Sequence, residues 1–317
     1  MNKLYLGIDT GRVYTKGIVI DKYNNIIASS YILTNSSPIE STKKIIKELQ
    51  ENINLEKYKI VSIGVTGVSK KLIGTLLNAN IIRNEIQANV TGTINLYPNA
   101  KTIIEIGGTD SKIIEIKDKS ISDYSIHNSC STVRGVFISD ISNKLNVDIN
   151  QINNLITKSK NKIDFNERCT IYAETEIINK IGLGYKKEDI IAGLSHWLVK
   201  SFITNVLSTK YVKGPIIFTG GVSKNIIIRK ELENYFNEKI IVDNNSHLIN
   251  AYGMAIMARS CPREIIFNTN IDDLKIDTQI EPCKNCNKEC LIVSIYKNNK
   301  LIDYWGNKCE RKTGQSL

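Results

Sequence analysis

The stretch LGIDTGRVYTKGIVID, residues 6–21, decides the fold. Two apolar, β-forming runs flank a polar turn, which predicts two antiparallel strands joined by a tight hairpin. Asp9 ends the first strand, Gly11 lies in the turn, and Thr15 and Lys16 follow on the returning strand. Backbone N–H groups of such a hairpin can hold phosphate oxygens, while the carboxylate orders metal-bound water and the lysine offsets phosphate charge. The stretch therefore indicates a magnesium triphosphate site, although an Asp-x-Gly hairpin is common by itself.

A second hairpin of this kind lies in IIEIGGTDSK, residues 103–112, and carries Glu105 and Lys112 on either side of its turn. A third glycine pair follows a buried strand in IIFTGGVSKN, residues 216–225, where bare backbone suits close approach by an adenine and a ribose. Three such turns in this order favour one nucleotide site over three unrelated turns. The predicted nucleotide-binding residues are Gly11, Arg12, Thr15, Lys16, Gly107, Gly108, Asp110, Gly220, Gly221, Lys224 and Asn225.

The two halves of the chain open with the same series of predicted strands. A charged amphipathic segment from Pro38 to Asn52 predicts a helix in the first half, and a long, mostly helical stretch precedes the last strand of the second. The predicted strands are 3–9, 14–21, 25–33 and 58–66 in the first half, and 101–108, 111–117, 120–127 and 214–221 in the second. We therefore predict an internally duplicated α/β fold with a cleft between its halves.

Length and composition favour a globular protein. At 317 residues with 42% apolar content, the chain can form two packed cores and a small appendage. No window approaches the roughly 20 uncharged apolar residues of a membrane span, and Asp9, Arg12 and Lys16 interrupt the apolar N-terminal stretch. We therefore predict a cytoplasmic protein with no membrane partner.

Charge and cysteine content narrow the class of partner. The formal net charge is +10, but Lys, Asn and Ile are abundant along the whole chain and no basic block with interleaved aromatic residues stands out, which predicts no nucleic-acid partner. The seven cysteines are better explained as metal ligands than as disulfides, because a reducing cytoplasm keeps thiols free. The three histidines show no paired spacing and predict no histidine-based metal chemistry.

The C-terminal segment is rich in cysteine. It carries CKNCNKEC, residues 283–290, followed by the strand-like LIVSIY and one more cysteine. Four thiolates in a short module predict a tetrahedral site made by Cys283, Cys286, Cys290 and Cys309. Zinc and an iron–sulfur cluster both fit this spacing. The remaining thiol of this segment, Cys261, is interpreted as structural.

Several stretches resemble the ATPase activators of 2-hydroxyacyl-CoA dehydratases and benzoyl-CoA reductases, within the superfamily of actin, heat-shock-chaperone and sugar-kinase ATPases. These stretches are VTGVSKKLIG (65–74), NEIQANVTG (84–92), EIGGTDSK (105–112), HNSC (127–130), ERCTIYAETEII (167–178), KKEDIIAGL (186–194) and FTGGVSKN (218–225). The resemblance covers roughly residues 3–260. It implies a duplicated actin-like, ribonuclease H-like ATPase fold with halves at 1–97 and 98–260, an interdomain nucleotide cleft, and a Cys-rich module at 261–317.

The resemblance also implies cofactors, site residues and partners. ATP and Mg²⁺ would occupy the cleft, with Asp9, Glu105 and Thr109 as catalytic residues. Each chain of a homodimer would supply Cys130 and Cys169 to one shared [4Fe–4S] cluster, and the arithmetic fits because a cubane needs four thiolates. Two buried structural thiols are the alternative. The electron donor would be ferredoxin- or flavodoxin-like, and the acceptor an Fe–S dehydratase or reductase.

The sequence departs from the family pattern around both hairpins and after Cys130. The departures are Arg12 and Val13 for Ser and Thr, Glu105 for Asp, Thr109 for a Gln that orients the attacking water, and Val133, Arg134 and Gly135 for Gly-Thr-Gly. We expect slower or differently triggered hydrolysis and altered surroundings of the cluster.

Two other functions remain compatible with these residues. A small-molecule kinase, such as an amino-sugar kinase, shares the fold and its phosphate loops, but needs a carboxylate base near the sugar hydroxyl and no cluster. A nucleotide-gated scaffold that docks a partner through the Cys-rich segment would bind ATP tightly with negligible turnover.

Overall fold

The computed structural model of the chain describes residues 2–35, 37–54, 56–127, 134–161, 163–165, 170–207, 212–261, 264, 276–283, 290–297 and 299–306. These residues form two five-stranded sheets, nine α-helices and a small three-stranded sheet.

The first sheet is built from the N-terminal residues. Its strands are β1 (Asn2–Thr10), β2 (Tyr14–Ile20), β3 (Ile26–Leu33), β4 (Tyr58–Gly67) and β5 (Ile81–Ile82), in the order β3-β2-β1-β4-β5. β1 pairs antiparallel with β2 and parallel with β4.

The second sheet repeats this arrangement. Its strands are β6 (Thr102–Ile106), β7 (Ser111–Lys117), β8 (Ser120–His127), β9 (Ile216–Thr219) and β10 (Ile240–Ile241), in the order β10-β9-β6-β7-β8. β6 pairs antiparallel with β7 and parallel with β9, as β1 does with β2 and β4. The predicted internal duplication is therefore confirmed. All eight strands predicted for these two sheets are present, and the two further strands, β5 and β10, have two residues each and are too short to predict from a pattern.

Helices cover the sheets and connect their strands. They are α1 (Pro38–Glu51), α2 (Lys70–Leu76), α3 (Glu85–Leu96), α4 (Gly135–Lys144), α5 (Ile152–Ile156), α6 (Thr170–Gly182), α7 (Lys187–Phe202), α8 (Ile226–Phe236) and α9 (Ile249–Arg259). The predicted helix α1 begins at a Ser37 N-cap, whose side chain accepts a hydrogen bond from the Glu40 N–H, with Pro38 at the first helical position. It buries Ile45, Ile46 and Leu49 in the core of the first sheet.

One helical stretch corrects the expectation about apolar segments. Lys187–Leu207, which is α7 with a π-helical turn at its end, is long and apolar enough by length and composition to cross a membrane. However, 67% of its most apolar window is buried inside the fold, and Trp197 and Phe202 belong to the core of the second sheet. The apolar character of this stretch therefore reflects its place in a protein core.

α9 ends the second half of the sequence but packs on the first sheet, where Ala251 and Ala255 lie in one apolar cluster with Ile18 and Ile20 of β2. It also crosses α3 at backbone contact. A Cβ atom on Gly253 would lie 1.8 Å from the Ala88 carbonyl oxygen, and one on Gly92 would lie 2.5 Å from the carbonyl oxygen of Ile249. Only glycine allows the two helices to approach this closely.

The small third sheet is formed by β11 (Ile276–Pro282), β12 (Leu291–Lys297) and β13 (Lys300–Trp305). The sequence signalled only β12. Both neighbours pair with β12 antiparallel, so the segment that carries CKNCNKEC connects the two strands of a hairpin.

Replacing Gly253 by Ala should destabilise the protein, because the added methyl group meets backbone that has no rotamer to adopt. We expect a loss of about 1–3 kcal/mol in the free energy of unfolding, measured by urea denaturation. Gly182→Ala is the matched control, since a Cβ atom at Gly182 of α6 meets nothing within 4 Å. Equal stability of the two variants would contradict the backbone contact.

Candidate functional site

A cleft of about 930 Å³ opens between the two large sheets. It gathers both hairpin turns and the third glycine turn onto one surface. The predicted site residues that line it are Asp9, Gly11, Arg12, Lys16, Glu105, Gly107, Gly108, Thr109, Asp110, Gly220, Gly221, Lys224 and Asn225. The three turns, more than 90 residues apart in sequence, thus contribute to a single site.

Thr15 is the exception. Its side chain is fully buried, with its hydroxyl 3.0 Å from the Thr34 hydroxyl and 2.8 Å from that of Ser41. Successive residues of a strand point to opposite faces, so the neighbours Tyr14 and Lys16 line the cleft while Thr15 packs against the start of α1. The Thr15 hydroxyl therefore ties the hairpin to α1 and does not face the cleft.

Each hairpin carries a lysine–carboxylate pair at the same place. Asp9 is the register partner of Lys16, and their charged groups are 2.9 Å apart. Glu105 is the register partner of Lys112 at 3.2 Å, and Lys112 also lies 3.0 Å from Asp110. The duplication of the fold therefore places two cations at the inner end of the cleft.

Both lysines are charged at neutral pH. Burial disfavours the charged form of Lys16, but the Asp9 carboxylate outweighs it, so the pKa of Lys16 lies above its usual value. Burial acts in the same way on Lys112, where Glu105 and Asp110 outweigh it and raise the pKa further. The two ammonium groups are therefore suited to neutralising phosphate oxygens.

The two hairpin turns face each other across the cleft. The Gly11 N–H donates to the Tyr14 carbonyl at 3.0 Å, and the Gly107 N–H donates to the Asp110 carbonyl at 2.9 Å, so both turns close in the same way. A Cβ atom at Gly108 would lie 2.9 Å from the Val13 side chain of the other hairpin. Any side chain at position 108 would therefore push against Val13 or fill the space between the turns.

The third turn presents bare backbone. Gly220 has φ +87°, and a Cβ atom there would lie 2.3 Å from the Ile106 carbonyl oxygen, so this position requires glycine. At Gly221 the nearest atom to such a Cβ would be the Tyr31 hydroxyl at 3.8 Å, which leaves the turn open towards the cleft.

The sequence analysis assigned no role to several other cleft residues, among them Tyr14, Tyr31, Glu85, His247 and Asn250. The Tyr14 and Tyr31 rings stack at 4.4 Å, and His247 meets Tyr31 edge-on at 5.1 Å. Tyr14 could have been predicted, because residues two apart in a strand lie on the same face and Lys16 faces the cleft. Tyr31 is the register partner of Lys16 on β3. The other three lie on the first turns of α3 and α9 or beside them, where no local pattern marks them.

Three of these residues have shifted pKa values: burial raises the pKa of Tyr31, and Glu85 and His247 are shifted as well. Burial raises the pKa of Glu85, and Lys112 opposes that shift. Burial, together with the nearby Lys224 and Lys16, lowers the pKa of His247 to about 4. His247 is therefore neutral at physiological pH and can offer a lone pair to the cleft.

The start of α4, which follows Cys130 in the sequence, is hydrogen-bonded to the second hairpin. Cys130 and Cys169 themselves lie outside the described residues, as do Cys286 and Cys309. Directly after the Cys130 segment, the N–H of Gly135 donates to the Gly107 carbonyl at 2.9 Å and the N–H of Val136 donates to the Gly108 carbonyl at 3.1 Å. The first turn of α4 is therefore bonded to the second hairpin turn.

The described tail cysteines lie at one end of a hairpin. Cys283 follows β11 and Cys290 precedes β12, both are buried, and the Cys283 N–H donates to the Cys290 carbonyl at 2.6 Å. Within the part of the chain that the structure describes, no group of three or more His, Cys, Asp or Glu side chains is placed to hold a metal. The predicted four-thiolate site thus stays a prediction.

Comparison with known proteins agrees with this geometry. The chain is 26% identical over 253 residues to the (R)-2-hydroxyglutaryl-CoA dehydratase activating ATPase of Acidaminococcus fermentans, covering 80% of this chain and 96% of the relative. It is 25% identical over 254 residues to the 2-hydroxyisocaproyl-CoA dehydratase activator of Clostridioides difficile, covering 80% and 94%.

A solved structure has the same fold. The activator of the 2-hydroxyisocaproyl-CoA dehydratase from Clostridium difficile, with bound ADPNP, superposes with a TM-score of 0.74 at 24% identity, over 81% of this chain and 94% of that one. The model of one family matches residues 6–258, which contain both hairpins and the third glycine turn. The chain belongs to the BadF/BadG/BcrA/BcrD ATPase family.

Proposed function

We propose that this protein is an ATP-dependent reductive activator. Its cleft binds and hydrolyses ATP, and the nucleotide state controls low-potential electron transfer from a [4Fe–4S] cluster shared by a homodimer to a partner, such as a 2-hydroxyacyl-CoA dehydratase or a related Fe–S reductase. The observation that carries the proposal is the pair of hydrogen bonds from Gly135 and Val136 to the Gly107 and Gly108 carbonyls. These bonds join the nucleotide turn to α4, the helix that begins five residues after Cys130.

The cleft fits a magnesium nucleotide in charge and in space. Lys16 and Lys112 supply positive charge, and the glycines at 108 and 221 leave room that a side chain would fill. Asp9 and Glu105 supply the carboxylates that would order the waters of a Mg²⁺ ion, which retains several waters in phosphate sites. Lys224 and Asn225 follow the third turn and would lie near the adenosine.

The helices beside the two predicted cluster ligands are linked to each other. α4 follows the Cys130 segment, and α6 begins at Thr170, directly after Cys169. Lys144 of α4 forms an ion pair with Glu174 of α6. A shift of the second hairpin on nucleotide binding would therefore move both helices. A two-state switch requires contacts of this kind, which differ between the nucleotide-bound and nucleotide-free states.

Two thiolates from each of two chains would complete the shared site, whose chemistry is to store and release one electron. A ferredoxin- or flavodoxin-like protein would deliver that electron. The Cys-rich tail would form a second metal site through Cys283, Cys286, Cys290 and Cys309, with zinc or iron–sulfur as its occupant.

The shared cluster can be tested by metal analysis of anaerobically purified protein. We expect about four iron atoms per dimer in addition to the metal of the tail, and a brown colour. Cys130→Ala or Cys169→Ala should remove that iron and weaken the dimer, whereas Cys286→Ala should remove only the tail's metal. Full retention of iron in a Cys130→Ala/Cys169→Ala variant would refute the site. Phosphorylation of an amino sugar by iron-free protein would favour a small-molecule kinase instead.

Gly108→Val tests the position of the nucleotide. The new side chain would collide with Val13 and occupy the space between the turns, so ATP affinity should fall by about tenfold or more, in line with about 1–3 kcal/mol for overpacking. Calorimetric titration measures this affinity, and an unchanged circular dichroism spectrum shows that the fold survives. Adding Val13→Ala should restore part of the affinity. A folded Gly108→Val protein with wild-type affinity would contradict the placement.

His247 offers a test by pH. Its lowered pKa means that neutral His247 contributes stability above about pH 6.5, the ordinary value, and that this contribution is lost as the pH falls towards 4. Because Lys16 and Lys224 help to lower this pKa, a triphosphate bound beside them should raise it by about one unit or more. NMR titration of the histidine ring, assigned with His247→Gln, measures the shift. A pKa that stays the same on saturation with nucleotide would place the phosphates elsewhere.

A further inference from the structure

Asn250 lies where the two halves of the cleft meet. It is the second residue of α9, is 5% exposed and lines the cleft. Its side-chain nitrogen is 3.2 Å from Glu105 Oε1 and 3.5 Å from Asp9 Oδ2, the latter at the long end for a hydrogen bond. Asp9 belongs to the first sheet and Glu105 to the second, so one amide group connects the two carboxylates.

The chemistry of the partners fixes how this amide is turned. Ionised carboxylates only accept hydrogen bonds, so the NH₂ group of Asn250 must face them, and it has one N–H for each. Its oxygen, Oδ1, consequently points the other way. This Oδ1 atom is buried and has no hydrogen-bond partner in the described part of the chain. A buried acceptor without a donor is rare in native proteins and indicates a missing water, ion or ligand.

The charges nearby suggest which donor completes the site. Three carboxylates, those of Asp9, Glu105 and Asp110, surround two ammonium groups, those of Lys16 and Lys112. In these ion pairs the carboxylates outnumber the ammonium groups by three to two. Carboxylate oxygens, an amide oxygen and water are the ligands typical of Mg²⁺, which is often held through its waters.

We propose that Asn250 is a positioning residue for the metal ion that accompanies the nucleotide. Its NH₂ group holds Asp9 and Glu105 in place across the cleft, and its Oδ1 accepts a hydrogen bond from a metal-bound water. This inference rests on the proposed binding of ATP with Mg²⁺ in the cleft. Asn250 should therefore contribute to the increase in nucleotide affinity that Mg²⁺ causes. It should not contribute to the affinity for nucleotide without metal.

The test compares the affinity for a non-hydrolysable ATP analogue in excess Mg²⁺ with that in EDTA, measured by calorimetry. In Asn250→Ala we expect the gain in affinity from Mg²⁺ to fall by about tenfold, because the variant loses one hydrogen bond in a charged environment. The affinity in EDTA should change by less than about twofold. In Asn250→Asp, a carboxylate replaces the amide. The affinity in EDTA should fall through repulsion, and the gain from Mg²⁺ should exceed that of the wild type.

Asn89 of α3 supplies the matched control. It is also a buried helical asparagine, but it does not line the cleft and both ends of its amide are satisfied, by Thr219 at 3.0 Å and Thr93 at 3.1 Å. Asn89→Ala should retain the wild-type gain from Mg²⁺ even where its melting temperature falls.

Each outcome has a distinct meaning. If Mg²⁺ increases the affinity of Asn250→Ala for the analogue as much as it does that of the wild type, the inference is overturned and the proposed nucleotide site stands. If Asn250→Ala does not fold, the Asn250→Asp variant decides, because an unchanged gain in that variant also overturns the inference. Absence of analogue binding by the wild type overturns the proposed function and the inference with it. An equal loss of the gain in Asn89→Ala would show a packing effect and contradict a specific role for Asn250.

Discussion

The crossing of α3 and α9 is the constraint on which the cleft depends. Gly92 and Gly253 carry no side chain, so the two helices touch through their backbones, and a single methyl group at either place would lie within 2.5 Å of a carbonyl oxygen. α9 approaches the first sheet equally closely, since a Cβ atom at Gly7 of β1 would lie 1.9 Å from the Ala251 carbonyl oxygen, although the chain reaches α9 from the second sheet. Asn250 precedes Gly253 by one helical turn, so the same contact brings its amide to Asp9 and Glu105.

Duplication of the fold also duplicates a lysine–carboxylate ion pair. In each half, the first strand of a hairpin ends in a carboxylate and the second strand carries a lysine directly opposite. In each pair the lysine stays charged although it is buried, because the attraction of the neighbouring carboxylates outweighs the cost of burial. The cleft between the halves therefore contains two such pairs at its inner end. A polyanion with a divalent cation can exchange partners with these pairs without leaving a buried charge uncompensated.

Local patterns in the sequence were sufficient for the strands and the three turns. Runs of apolar, β-forming residues and pairs of glycines can each be recognised within a stretch of about ten residues. These runs predicted eight of the strands. Thr15 was assigned to the nucleotide because its residue type suits phosphate, but strand alternation turns it to the opposite face. His247 and Asn250 were missed for another reason. They reach the cleft only through the packing of α9 on the first sheet, which no local pattern encodes.

The hydrogen bonds between the second hairpin and α4 give the proposed coupling a physical magnitude. The first N–H groups of a helix need partners from outside it, and the N-cap of α4, Arg134, provides no side-chain hydrogen bond. The Gly107 and Gly108 carbonyls fill that role. A shift of the turn that broke either bond would expose or orphan a donor, at about 1–3 kcal/mol. That range equals a typical allosteric coupling energy, and linkage requires the effect to be mutual. A partner that reorients α4 must therefore change the affinity of the cleft for nucleotide by the same factor by which nucleotide changes the affinity for the partner.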